Sequence, residues 1–275
     1  MAKRFLAAAI GVPMILAVVF FGVYAPILFD IAIAIICAVS VGEFSTATKT
    51  IRLYPLSISG ILFAIAYPML LSYGYGQLIC FLYTGAVLSV MVFCHKKITF
   101  QNFAYTYSMT MIITIALSTI IQMKNMDTAH ASFYFILSLG LPWMADIGAY
   151  FAGSFLGKHK LCPTISPKKT IEGVVGGVLL CVGATCLIGW IFADLIYGKT
   201  VEIQYLPLCI LALIGSFMSV IGDLSFSVIK RYFEIKDYGF IIPGHGGFLD
   251  RFDSVIFVSP FVWMFITYFP IMTIR

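Results

Sequence analysis

The strongest constraint on this chain is a repeated run of apolar residues, each long enough to cross a lipid bilayer, separated by short polar breaks. Nine such runs lie at about 5–23, 25–43, 53–72, 77–94, 103–122, 131–156, 171–194, 205–229 and 254–271. Each approaches or exceeds the ~17–25 residues that a helix needs to span the hydrocarbon core. The runs are continuously apolar and do not alternate, which selects helices over barrel strands. With 61% hydrophobic and only 11% charged residues, no polar stretch is long enough to build a soluble domain. The expected fold is therefore an all-α, polytopic transmembrane bundle. Its organisation is expected as residues 1–130, N-terminal transmembrane helices of about five spans, and 131–275, C-terminal catalytic transmembrane helices with two cytoplasmic loops. Pro13, Pro142 and Pro260 fall inside spans and should kink them or sit near their ends.

The charges fix an orientation. With the N-terminus on side one, that side carries Lys3 and Arg4; Lys49 and Arg52; Lys96 and Lys97; Lys158, Lys160, Lys168 and Lys169; and Lys230, Arg231, Lys236 and Arg251. The other side carries only Lys124, Lys199 and Arg275. Excess Lys and Arg in short loops marks the cytoplasmic side, so the N-terminus is placed inside and the C-terminus outside. Met1-Ala-Lys-Arg followed by an apolar run has the charge layout of a signal peptide. That run is too long for an h-region and is expected to stay as the first helix. The seven cysteines form no C-x-x-C pair and suggest neither a zinc site nor disulfides. No arginine-rich patch points to nucleic acid.

Ionisable groups concentrate in two places. Residues 227–253 hold four of the 17 basic and four of the 12 acidic residues, and Asp223 lies inside the span just before them. An ionisable residue within a span is costly and marks a functional site by default. On a helix Asp223, Ser227 and Lys230 share one face, which aligns a carboxylate, a hydroxyl and an ammonium towards the cytoplasmic surface. A carboxylate there would repel a phosphate substrate. Mg²⁺ resolves that conflict because it binds one or two carboxylates and phosphate oxygens together, and Asp250 offers a second carboxylate. Pro243-Gly-His245-Gly246-Gly247 is a turn that can bring backbone N–H groups to a ligand. Asp253 reads as the N-cap of the last span. Glu43 reads as an interfacial residue, and Asp30 has no assigned role.

The second concentration runs from Asp146 through Lys158 to Pro167-Lys168-Lys169-Thr170-Ile-Glu172-Gly173. Ala149, Gly153 and Gly157, with Gly173 and Gly177, are spaced as small faces for helix–helix packing. Lys168 and Lys169 precede a helix N-terminus that Thr170 should cap. This is an arrangement suited to an anion, although juxtamembrane lysines also serve simply as surface anchors.

The run carried by Ser227, Lys230, Arg231, Lys236, Asp237, Gly239, Pro243, His245, Gly246, Gly247, Asp250, Arg251 and Asp253 resembles the signature of the phosphatidate cytidylyltransferases, or CDP-diacylglycerol synthases. The block at Asp146 and at Ser166 to Gly173 is similar to the same family's second motif. Together the matches cover roughly the C-terminal half. The resemblance implies CTP + phosphatidate → CDP-diacylglycerol + pyrophosphate with Mg²⁺, a monovalent cation such as K⁺ sharing the metal site, and a homodimer in the membrane. It makes Asp223 and Asp250 the metal ligands. Ser227, Lys230, Arg231 and His245 are catalytic, and Asp146, Lys168, Lys169, Lys236, Gly246, Gly247 and Arg251 bind substrate. The alternatives are a CTP-dependent enzyme acting on an isoprenoid lipid, and a cation-coupled transporter with Asp146 and Asp223 on its pathway.

Overall fold

The computed structural model describes residues 22, 24–240 and 246–274. The first expected span, with Pro13, lies outside them. Seven described helices are long and apolar enough to cross a membrane, and the chain is an integral membrane protein of the all-α class. The chain divides into two compact units, Met1–Ser132 with Tyr232–Phe252 and Phe133–Arg231 with Asp253–Arg275.

The first unit contains α1 (Ile27–Ala47), α2 (Tyr54–Leu71), α3 (Gly76–Phe93) and α4 (Phe100–Met126). Pro55 sits in the first turn of α2, where a missing N–H costs nothing. Thr99 caps α4 by accepting from Asn102 N at 3.2 Å. Helices α1, α2 and α4 bury Phe29, Ile33, Cys37, Leu56, Ile113 and Leu117. An aromatic run joins α2, α3 and α4, with Phe63 and Tyr83 stacked at 4.3 Å between centroids and Tyr83 and Tyr107 at 5.6 Å. The segment after Tyr232 docks on α1 through Phe44, whose ring lies 6.1 Å from Phe233 and 6.0 Å from Tyr238. Asp30, unassigned in the sequence, is the partner of Lys124. Its Oδ1 lies 2.5 Å from Nζ, with only 7% and 6% of the two side chains exposed, and Ser72 Oγ stands 3.2 Å from the ammonium.

The second unit contains α5 (Ala131–Leu156, entering at Phe133), α6 (Ile171–Trp190, extended by a π-helical turn over Ile191–Ile196), α7 (Tyr205–Tyr232, leaving at Arg231) and α8 (Asp253–Tyr268). Helices α5 and α6 touch backbone to backbone. A Cβ on Gly173 would stand 2.9 Å from Ala149 O, and one on Gly177 2.6 Å from Ala145 O. Packing is thus the use of the small-residue faces, as expected. Pro142 and Pro260 lie inside α5 and α8.

Two short antiparallel strand pairs, one of them a hairpin, interrupt the all-helical expectation. Strand β1 (Lys160–Cys162) pairs antiparallel with β2 (Ser166–Thr170) in the loop before α6. Strand β3 (Val201–Ile203) pairs with β4 (Met272–Ile274). The last helix ends at Tyr268, three residues short of the expected 271, because Pro270 disfavours helical geometry at the residue before it. At 16 residues and ~1.5 Å per residue, α8 is about 24 Å long, shorter than the ~30 Å hydrocarbon core. The β3–β4 pairing nevertheless brings the start of α7 and the end of α8 to the same end of the unit, so the two helices run in opposite directions. Large apolar side chains such as Leu179, Leu187, Phe217, Ile221 and Val228 are exposed, which suits lipid and not water.

Candidate active site

In the second unit, α6 begins where β2 ends. Thr170 Oγ1 accepts from Gly173 N at 3.1 Å, which makes it the expected N-cap. Glu172, in the first turn, accepts from Lys158 N at 3.1 Å, from His159 N at 3.2 Å and from His159 Nδ1 at 2.6 Å. That carboxylate ties the start of the β1–β2 hairpin to α6, and the hairpin carries Lys168 and Lys169. A cavity of about 190 Å³ lies here, lined by Asp146, Lys168, Lys169, Thr170 and Ser216 among others. Asp146 and Lys168 are exposed and Lys169 is half-buried.

Lys169 Nζ reaches Asp223 Oδ2 at 2.5 Å, which joins the two motifs that the sequence separated by more than fifty residues. Ser227 and Lys230 follow Asp223 on α7 and both are buried. Lys230 Nζ lies 3.8 Å from Asp253 Oδ2. Asp253 also feels the negative charges of Asp223 and Asp146. The neighbourhood is therefore a cluster of three carboxylates and two ammonium groups. Of its pairs, Lys230–Asp253 is the buried one, at 10% and 6% side-chain exposure, where charges act most strongly. Arg231 is exposed at the end of α7.

Asp253 is more than the expected cap. It is the first residue of α8, its Oδ1 accepts from Ser254 N at 2.7 Å, and it supplies a counter-charge to Lys230. Glycine lets α8 approach, since a Cβ at Gly222 would stand 3.2 Å from Asp253 O and 3.1 Å from Ser254 Cα.

The signature loop belongs to the first unit. Asp250 Oδ2 accepts from Tyr238 N at 2.9 Å and from Gly247 N at 3.1 Å, so this carboxylate folds its own loop. Gly246 has φ +83°, a conformation that favours glycine. Lys236 is exposed beside a cavity of about 900 Å³ that also meets Glu43, Thr46, Ile51 and Phe240. Arg251 is exposed in the turn Leu249–Arg251. His245 lies outside the described residues. Glu43 departs from the sequence reading. It is not interfacial but 4% exposed, and its Oε2 accepts from Leu249 N at 2.6 Å. The sequence signal for it was an acid inside an apolar run.

The sequence profile of the cytidylyltransferase family matches residues 2–269. The chain belongs to the cytidylyltransferase family. Among similar family proteins, the phosphatidate cytidylyltransferase of Bacillus subtilis (strain 168) is 36% identical over 183 residues, which is 66% of this chain and 65% of that protein. The phosphatidate cytidylyltransferase of Staphylococcus saprophyticus is 41% identical over 175 residues, and that of Staphylococcus aureus (strain COL) 40% over 175 residues, each covering 63% of both chains. In all three cases this cytidylyltransferase-family chain spans less than two thirds of the relative's length.

Mg²⁺, which the signature implies, requires hard oxygen donors and takes one or two carboxylates, with the rest of its shell from water or substrate. Among the described residues no three His, Cys, Asp or Glu side chains gather as a complete metal cluster. Asp223 fits the partial role, because its carboxylate already holds a cation, the Lys169 ammonium, at contact distance.

Proposed function

We propose that this protein is a phosphatidate cytidylyltransferase of the inner membrane, converting CTP and phosphatidate to CDP-diacylglycerol and pyrophosphate at the cytoplasmic face. The observation that carries the reading is the Lys169–Asp223 ion pair, beside a lysine hairpin and a capped helix N-terminus, which supports a charged site for phosphate groups. The names of the family's Bacillus and Staphylococcus relatives support the substrates, and the Lys and Arg excess on one side supports the orientation.

In this reading a phosphatidate oxygen forms a bond to the α-phosphorus of CTP. The bond to the β-phosphate oxygen breaks, and pyrophosphate leaves with the electron pair. The attacking phosphate monoester has a second pKa of about 6, so it arrives ionised and no general base is required. Catalysis then rests on positioning and on neutralising charge. Lys168 and Lys169 on the hairpin, with Lys230 and Arg231 on α7, hold the triphosphate and the departing pyrophosphate. Ser227 and His245 donate to phosphate oxygens. Asp146, Lys236, Gly246, Gly247 and Arg251 bind substrate. Asp223 and Asp250 are the carboxylates assigned to Mg²⁺. When bound, Mg²⁺ supplies a Lewis acid that neutralises phosphate charge. A K⁺ ion beside it and a homodimeric assembly belong to the same proposal.

The test uses membrane vesicles containing the protein, phosphatidate and Mg²⁺, with CTP added outside. Inside-out vesicles should form both CDP-diacylglycerol and pyrophosphate, and right-side-out vesicles neither. Turnover only from the outer face would overturn the orientation. Product with a polyprenyl phosphate but not with phosphatidate would overturn the substrate.

A further inference from the structure

The described ends of the signature loop, Tyr238–Gly239 and Gly246–Asp250, fold between two carboxylates, one from the loop itself and one from a membrane helix far earlier in the chain. Asp250 Oδ2 gathers Tyr238 N and Gly247 N from the loop's interior. Glu43 Oε2, from the last turns of α1, takes Leu249 N at 2.6 Å. The fit around Glu43 is tight. A Cβ at Gly239 would strike the Glu43 carboxylate, with Cδ and Cγ both at 2.7 Å, and no other group lies as near. A Cβ at Gly247 would meet Asp250 Oδ2 at 2.6 Å, Gly239 N at 2.8 Å and Glu43 Oε2 at 2.9 Å. The two glycines are thus required where the backbone folds over these carboxylates. Burying a carboxylate at the end of an apolar helix is costly unless it is hydrogen-bonded. Glu43, 4% exposed, offsets part of that cost by accepting from Leu249 N in the loop backbone.

We infer that Glu43 is a positioning residue for the reaction, holding the loop that carries Gly246, Gly247 and Asp250 in its working shape. The inference rests on the proposed cytidylyl transfer. It assigns a role in that chemistry to a helix from the part of the chain where the family signature has no residues. Glu43 acts through Leu249 N–H and through the space left at Gly239.

The test combines steady-state kinetics with native-state tryptic cleavage at the exposed Lys236 and Arg251, read by mass spectrometry on the full chain in detergent. Glu43→Ala removes the acceptor. It should raise loop cleavage about tenfold or more by opening the segment locally, and lower kcat by about tenfold or more through misplacement, with KM for CTP changed by less than about threefold. Glu43→Gln keeps an oxygen for Leu249 N–H and should recover most of both losses. Gly239→Ala displaces the same carboxylate, so it should reproduce the phenotype, and Glu43→Ala with Gly239→Ala should be no worse than either alone. Unchanged cleavage in Glu43→Ala would overturn the inference. So would a rate loss that only tracks lowered thermal stability and is not recovered by Gln, or additive losses in the double variant. The cleavage measurements decide the loop claim even if the wild-type protein transfers no cytidylyl group, so the two readings fail separately.

Discussion

The Asp30–Lys124 pair offers a quantitative test of how the first unit is held together. The two groups stand 2.5 Å apart with 7% and 6% of their side chains exposed, and Ser72 Oγ lies 3.2 Å from Nζ and 3.3 Å from Asp30 Oδ2. They join α1 to α4, with α2 ending beside them. Removing one partner leaves a buried charge with no counter-charge and only the Ser72 hydroxyl beside it, which costs about 3–5 kcal/mol. That corresponds to a fall of roughly two to four orders of magnitude in the folded-to-unfolded ratio, taking about 1.4 kcal/mol per factor of ten. Replacing both partners with apolar residues of similar size leaves no charge behind, and such exchanges are about neutral. Ser72→Ala removes one hydrogen-bonding hydroxyl and should cost about 1–2 kcal/mol. The assay is reversible denaturation in detergent for Asp30→Leu, Lys124→Met and the double variant. Each single should be strongly destabilised and the double should return close to wild type. A single that costs under about 1 kcal/mol, or a double no better than the worse single, would refute the argument that the pair is buried and mutually dependent.

Three further predictions concern the second unit. Lys169→Ala should lower kcat/KM by about 10²–10³, the typical loss of one preorganised charge-stabilising donor; Lys168→Ala should be milder, because Lys168 is exposed and Lys169 is the one paired with Asp223. Initial rates at limiting CTP separate them, and undiminished rates in both variants would return both lysines to surface anchoring. Asp223→Asn should abolish most turnover while thermal stability stays within about 1 kcal/mol, since its side chain is only half-buried. Asp253→Asn should lose stability and turnover together, because it withdraws the counter-charge from buried Lys230. Parallel melting and rate measurements check this, and a stable but inactive Asp253→Asn would place that residue in the chemistry instead.

The spans were legible because lipid demands continuous apolar runs, and nearly every helix boundary falls within a few residues of the expected one. Lys230 and Ser227 were legible beside Asp223 because helical spacing alone puts them on one face. The Lys169–Asp223 pair was not, since it depends on where a hairpin folds relative to a helix fifty residues on. Asp30–Lys124 was hidden for the same reason, at greater separation. Glu43 was misread because an acid at a helix end is ordinarily solvated, and only the packed loop shows otherwise. The interleaving of the two units has no mark in composition at either Arg231 or Asp253.

That interleaving has a bearing on biosynthesis. Chains emerge and fold from the N-terminus, and the second unit is split into Phe133–Arg231 and Asp253–Arg275. Lys230 is therefore made before its partner, and Asp253 arrives only after the whole of Tyr232–Phe252, which belongs to the first unit. Until then the ammonium on α7 has no Asp253 beside it. A chain stalled before residue 253 inserts most of its spans yet lacks the charge that balances the site. The charge cluster around Lys230 is thus completed only once residue 253 has been made, after both segments that flank it in the first unit.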